Sequence, residues 1–191
     1  MNKDWILIID LETTDLSEKV GFIVEVGITA LNVMTGERKI LMDSVCHQTG
    51  ITKEACDKSW VVNNSTLTTE AIRRSPNFNL LGVQEIIDEY PRGITAFNSN
   101  FDFKHLRAAG IIIKNEIPCI MKSLTKEVGA VNKLGRVKWP KVDEAWQYFF
   151  KGEDDYIETH RGGDDAYHEA ALAFKGIELG LIIIPLSNTT K

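Results

Sequence analysis

The chain has 191 residues, 43% of them hydrophobic and 26% charged, and a formal net charge of −5 at neutral pH. That length suits one domain, residues 1–191, with a sizeable core, and the composition is that of a soluble globular protein without disordered, low-complexity or repeated segments. The acidic balance excludes a general nucleic-acid coat protein but not an enzyme acting on nucleic acid, because metal ligands account for part of such an excess. The first apolar run spans five residues before Asp10, and the stretch Leu179 to Leu186 contains Pro185. Both are too short for a signal peptide or a membrane span, so no membrane partner is expected. Three cysteines (Cys46, Cys56, Cys119), odd in number and without CxxC spacing, read as reduced thiols of a cytoplasmic protein.

In chain order, Trp5-Ile6-Leu7-Ile8-Ile9 reads as a buried strand: β-branched, uncharged and too short for a helix. It runs into Asp10-Leu11-Glu12-Thr13-Thr14, where strand period puts both carboxylates on one side of the sheet. Like charges at the end of a buried strand repel and lose hydration, a penalty that a hard divalent cation such as Mg²⁺ or Mn²⁺ removes. Solvated acids at the end of a strand give the same three letters, so this motif alone decides nothing. Ile23–Leu31 and Lys39–Val45 read as further strands around the Thr35-Gly36-Glu37 turn, making an antiparallel meander. Glu25, within the second, reads as either a supporting carboxylate near the metals or an outward-facing residue, and the outward position is the one expected. Thr68-Thr69-Glu70 opens a short helix ending before Pro76. Asn79–Tyr90 has helical apolar spacing and stops at Pro91 and Gly93.

Ile94–Phe97 reads as a fourth strand leading into Asn98-Ser99-Asn100-Phe101-Asp102 and a helix to about Ala109-Gly110, so Asp102 is either a site residue or a first-turn helix acid. Glu116–Met121 reads as a fifth, short strand, and Val142–Phe150 as a helix with Trp146 and Phe149 inward. Glu153, Asp154 and Asp155 read as solvated surface. From Lys122 to Lys141 six basic residues stand against one acid, either a phosphate-holding patch or a solvated basic loop. The last helix is expected over about Asp164–Leu179, with His160 on the preceding loop and Asp165 in the first turn. His47, His105 and His168 read as ordinary surface or helix-face residues.

Four carboxylates, Asp10, Glu12, Asp102 and Asp165, thus stand at element ends, with His160 five residues before the last. In this pattern the chain resembles the DEDDh 3′–5′ exonucleases, the DnaQ-like group that includes proofreading exonucleases, ribonuclease T and oligoribonuclease. IIDLETT (8–14), FNSNFD (97–102) and HRGGDDA (160–166) match its three motifs in order. Arg161 stands where the sister branch carries tyrosine. The resemblance implies a ribonuclease H-like α/β three-layer sandwich, its mixed five-stranded sheet having three antiparallel and two parallel strands between helices. It implies two divalent cations, Mg²⁺ or Mn²⁺, held by Asp10, Glu12, Asp102 and Asp165, with His160 as general base. It further implies a single-stranded nucleic-acid 3′ end as substrate, DNA or RNA, and release of nucleoside 5′-monophosphates. Leu11 and Phe101 would wedge or stack the terminal bases, Thr13, Thr14 and Asn98 would position the terminal sugar or phosphate, and the basic 122–141 stretch would steer the strand. Gly162-Gly163 is expected to leave the His160 loop free to move. A DNA polymerase or a second copy is a further expected partner. Two rival readings share the motifs: a non-catalytic nucleic-acid- or polymerase-binding module of this fold, and a two-metal hydrolase of small phosphodiesters.

Overall fold

In the computed structural model, which describes residues 3–152, 156 and 158–184, the first apolar run forms strand β1 (Trp5–Thr13). β1 continues beyond Ile9 because its antiparallel ladder with β2 (Ile23–Asn32) extends through Asp10↔Gly27 to Glu12↔Glu25. β3 (Arg38–Val45) pairs antiparallel with β2, and β4 (Ile94–Thr95) pairs parallel with β1, in the order β3-β2-β1-β4. Eight α-helices are described: α1 (Lys53–Lys58), α2 (Trp60–Asn64), α3 (Thr69–Arg74), α4 (Val83–Glu89), α5 (Ser99–Ala108), α6 (Ile120–Val128), α7 (Val142–Phe149) and α8 (Gly162–Glu178). None of the described helices is long and apolar enough to cross a membrane. The three cysteines are buried free thiols. Glu153, Asp154, Asp155 and Pro185 lie outside the described residues.

Three sequence expectations need correction. The sheet has four strands, not five: of Glu116–Met121 only Glu116 forms a bridge, with Ile94. Ile117 N still donates to Ile94 O at 2.9 Å, but the strand goes no further because Cys119 is already the N-cap of α6, whose Met121, Leu124 and Val128 have helical spacing. The single helix expected over Asn79–Tyr90 is a 3₁₀ turn (Phe78–Leu80) followed by α4, separated by Gly82 at φ 73°. Residues 46–78, expected to hold one helix, fold into α1, α2 and α3, capped by the Thr52, Ser59 and Thr68 hydroxyls.

β1 is buried on both faces, as a strand between two helical layers must be. Ile6 and Ile8 pack with α6, α7 and α8, through residues such as Leu124, Ala145 and Ala173. Leu7 and Ile9 pack with α4 and α5, through Val83, Ile87, Phe103 and Leu106. Asp10 and Glu12 continue the Ile6–Ile8 side, so they face α8.

α8 can lie this close only because three glycines line its contact with the sheet. A Cβ on Gly27 would stand 1.8 Å from the Gly162 carbonyl oxygen, and one on Gly163 would stand 2.3 Å from Asp43 Cγ. Gly162 and Gly163 are therefore buried first-turn residues of α8 rather than part of the loop. Gly27→Ala must push α8 off β2. We expect it to lower stability by about 1–3 kcal/mol, the usual range for overpacking, in a denaturant titration; an unchanged midpoint would contradict this close approach.

Candidate active site

The end of β1, the start of α5 and the start of α8 meet around one cavity of about 710 Å³. Asp10, Leu11, Glu12, Thr13, Thr14, Asn98, Phe101, Asp102 and His160 all line it. Asp165 stands beside it: Glu12, His160 and Asp165 each offer a ligand atom, all within 4.8 Å of one another. The structure thus brings every site residue singled out in the sequence into one place.

Each carboxylate is aimed by a different device. Asp102 is 3% exposed, and its Oδ1 accepts the Leu11 backbone N–H at 3.2 Å, which ties α5 to β1. Asp165, 2% exposed, takes three donors: Oδ1 accepts from the Tyr156 hydroxyl and from Thr159 N (3.2 Å), and Oδ2 from Arg161 N at 2.9 Å. Its side chain thereby folds the His160 loop around itself. Asp10 has no such support: its Oδ2 is buried and has no hydrogen-bond partner.

The electrostatics follow from this burial. Desolvation, then the charges of Glu169, Glu12, Asp102 and Asp165, holds the Asp10 carboxyl well above the usual carboxylate range. Desolvation, then Asp165 and Glu25, pushes Glu12 up to about 9. Burial pushes Asp102 up to about 8 against the opposing effect of its backbone hydrogen bonds.

His160 sits at φ 53°, the one non-glycine residue with positive φ among those described, which is a strained backbone. The indole of Trp60, from the 46–78 segment, stands edge-on to its ring at 4.6 Å between centroids. Its Nδ1 lies 3.7 Å from Glu158 Oε1, too far for a hydrogen bond. The other positions divide. Asn98 is exposed at the N-cap of α5 and makes no capping bond, so its carboxamide is open to a ligand. The Thr14 hydroxyl accepts Phe22 N–H, and the Thr13 hydroxyl donates to Asp15 O, so both serve the turn after β1. Leu11 is 3% exposed and belongs to the core, whereas Leu16 and Trp60 are the exposed apolar side chains at the cavity, 85% and 57% exposed.

Further residues at the site were missed or misread in the sequence. Glu169, one turn beyond Asp165, is a fifth buried carboxylate; it lines the cavity, and its Oε2 accepts Phe97 N at 3.2 Å. Desolvation, then Asp102 and Asp165, raises its pKa well above the usual range. Its spacing of four from Asp165 was the available signal. Tyr156, which holds Asp165, stacks on His168 at 4.1 Å, so that histidine supports the site indirectly. Glu158 also lines the cavity, and burial followed by Asp165 and Asp143 pushes it up to about 7. Glu25 does not face outward. It is fully buried, opposite Glu12 in the ladder, and paired bidentately with the Arg161 guanidinium, whose Nη2 and Nε lie 2.7 and 2.9 Å from Oε1. Arg161 is the neighbour of His160, so this pair clamps the histidine loop to β2.

No family model and no curated protein matches the sequence. Solved structures do match the fold, an exonuclease-type ribonuclease H-like sandwich. One is a 3′-exonuclease that recognises the 3′ end of a histone mRNA stem-loop, at 18% identity and TM-score 0.66 over 95% of this chain and 85% of that one. Another is a full-length 3′-exonuclease, at 19% identity and TM-score 0.64, of which this chain spans 62% while matching over 94% of itself. A third is the nuclease domain of 3′hExo, described as a DEDDh family member and bound to rAMP, at 18% identity, TM-score 0.59 and 94% of both chains.

The residues fit a divalent cation: hard carboxylate donors, an orphaned buried oxygen on Asp10, and repulsion that only protons or metal ions relieve. Carboxylates raised in the folded state bind protons more tightly there than in the unfolded chain, where they titrate near 4. The metal-free protein should therefore lose stability as pH rises from roughly 4 through the values near 8 and 9 of Asp102 and Glu12. The rise in Tm on adding Mn²⁺ should grow over the same range. A scan from pH 5 to 9 in EDTA and in Mn²⁺ checks both, and a metal-induced shift that is flat or shrinks with pH would contradict the reading.

Proposed function

We propose that this chain is a metal-dependent 3′–5′ exonuclease of the DEDDh type, acting on the 3′ end of single-stranded nucleic acid and releasing nucleoside 5′-monophosphates. The observation that carries this is the meeting of Asp10, Glu12, Asp102, Asp165 and His160 at one cavity large enough for a terminal nucleotide. In this reading Asp10, Glu12 and Asp165 would hold one ion, while Asp10 and Asp102 would hold a second. Bound divalent ions supply the charge that makes a water nucleophilic near neutral pH and steadies a leaving 3′ oxyanion.

The protein residues do the rest. The Leu11 N–H holds one oxygen of Asp102 and leaves the other for the cavity. The Arg161 and Thr159 N–H groups fix Asp165 from behind, so that it cannot swing away from Glu12. His160 takes the proton of the attacking water, held by its turn, by Trp60 and by the Arg161–Glu25 clamp. Leu16, Trp60 and Phe101 give terminal bases apolar surface without reading their identity. A cytoplasmic setting rests on the three free cysteines, and a polymerase or second copy as partner on the sequence resemblance.

The test is a time course on 5′-labelled single-stranded DNA and RNA with Mg²⁺ or Mn²⁺. A ladder shortening from the 3′ end is expected, slowed on the order of 10²–10⁴-fold in His160→Ala and abolished in Asp165→Asn. Intact polymers beside cleaved dinucleotides would replace this reading with a hydrolase of small phosphodiesters. Intact polymers and dinucleotides together would leave a binding module.

A further inference from the structure

Between α6 and α7 the chain leaves the body of the protein as a small hairpin. Val131 and Val137 form an antiparallel bridge, and Asn132 N donates to Arg136 O at 2.8 Å. The Asn132 carboxamide oxygen accepts from Leu134 N and Arg136 N at 2.9 and 3.1 Å, and Gly135 supplies the positive φ of 73° at the tip. All seven residues from 131 to 137 are exposed. Val131, Leu134, Val137 and Trp139 leave 54, 79, 63 and 62% of their surface to water. A hairpin this size buries almost no core, so its shape rests on these internal hydrogen bonds. Apolar side chains held out on such a frame, edged with charge, mark a contact surface.

The charges indicate the kind of partner. Lys133 and Arg136 make no ion pair among the described residues, and Lys126 is exposed in the last turn of α6. The nearby acids are already engaged: Glu127 accepts the Tyr148 hydroxyl at 3.0 Å, and Glu144 is held by Lys138 and by Lys141 N. The Lys122 ammonium lies 5.9 Å from the Trp139 ring centroid, so cation and aromatic surface alternate. The arm rejoins the protein at the cavity itself, where Val142 forms part of the wall and the Lys141 charge acts on Glu158.

We propose that the 131–141 arm is a second contact for the strand, with Lys133 and Arg136 on the phosphates upstream of the 3′-terminal nucleotide and Trp139 and Leu134 against its bases. This rests on the reading of the cavity as an exonuclease site and extends it to the part of the substrate that is not being cut. A single strand is the occupant that uses all three features: open cations for phosphates, an aromatic face that accepts any base, and continuity with the cavity mouth.

The test compares Lys133→Ala/Arg136→Ala with Lys39→Ala/Lys114→Ala, which removes the same charge from lysines already paired with Glu37 and Asp88. Binding of fluorescent single-stranded 3-mers and 20-mers is followed by anisotropy with Ca²⁺ in place of Mg²⁺ over a salt series, and hydrolysis of both is measured with Mg²⁺. The arm variant should bind the 20-mer about tenfold more weakly, with the slope of log K against log salt lower by roughly 1.4, or 0.7 for each lost phosphate contact on a single strand. Its binding and hydrolysis of the 3-mer should match the control, and Trp139→Ala should weaken only the 20-mer. A 20-mer bound equally by the arm variant and the control would overturn the proposal. Were the wild type to cut neither oligonucleotide, the exonuclease reading would fail while the binding comparison still decided on the arm.

Discussion

Asp10, Glu12, Asp102, Asp165 and Glu169 crowd around one cavity with much of their own hydration lost, and their mutual repulsion is the constraint on which the rest of this structure depends. Among the described residues the hydrogen bonds that answer it come from neutral donors: the backbone N–H groups of Leu11, Phe97, Thr159 and Arg161 and the hydroxyl of Tyr156. The Arg161 guanidinium, whose charge also reaches Glu12, is committed to Glu25. Hydrogen bonds of this kind orient carboxylates but do not neutralise five of them. The remaining charge has to come from protons or from bound metal ions, and the unpartnered Oδ2 of Asp10 lies at the centre of that deficit.

The fold reads as a means of holding this unfavourable group together. β1 carries two of the acids because it is buried on both faces and its period keeps Asp10 and Glu12 on the side of α8. α8 carries two more, Asp165 and Glu169, at a spacing of one turn, and Gly27, Gly162 and Gly163 allow it to lie almost against the backbone of β2. The Arg161–Glu25 pair then fixes the residue next to His160, at the junction between β2 and α8. The histidine is thus held by strain at φ 53°, by the Trp60 edge and by its clamped neighbour.

Where the physics is local, the sequence was legible. The five-residue apolar run, the Asp-x-Glu period and the strand-turn-helix placement of Asp102 located β1 and the start of α5, while their acids and the His160–Asp165 pair were singled out only by the match of all three motifs to a known family. What stayed hidden depends on long-range packing. Glu25 looks like an outward residue until Arg161, 136 positions away, closes on it. Glu169 looks like a polar helix position until α8 is laid on β1. The expected fifth strand fails on a local feature that was open to reading, the helical spacing of Met121, Leu124 and Val128 that belongs to α6 from Ile120 onward. The helices around Trp60 are five and six residues long, too short to show a period, and they reach the site only because Val61, Leu67 and Ile72 pack against Val24 of the sheet.

The most direct measurement is a crystal structure of the protein with Mn²⁺ and a nucleoside 5′-monophosphate, with anomalous differences collected at the manganese edge. A cluster assembled for cations should place at least one anomalous peak among Asp10, Glu12 and Asp165, at coordination distance from the Asp10 Oδ2 that has no hydrogen-bond partner. Clear density for the nucleotide or the carboxylates with no anomalous peak among them at millimolar Mn²⁺ would contradict it, and would mean that protons alone keep this buried group together.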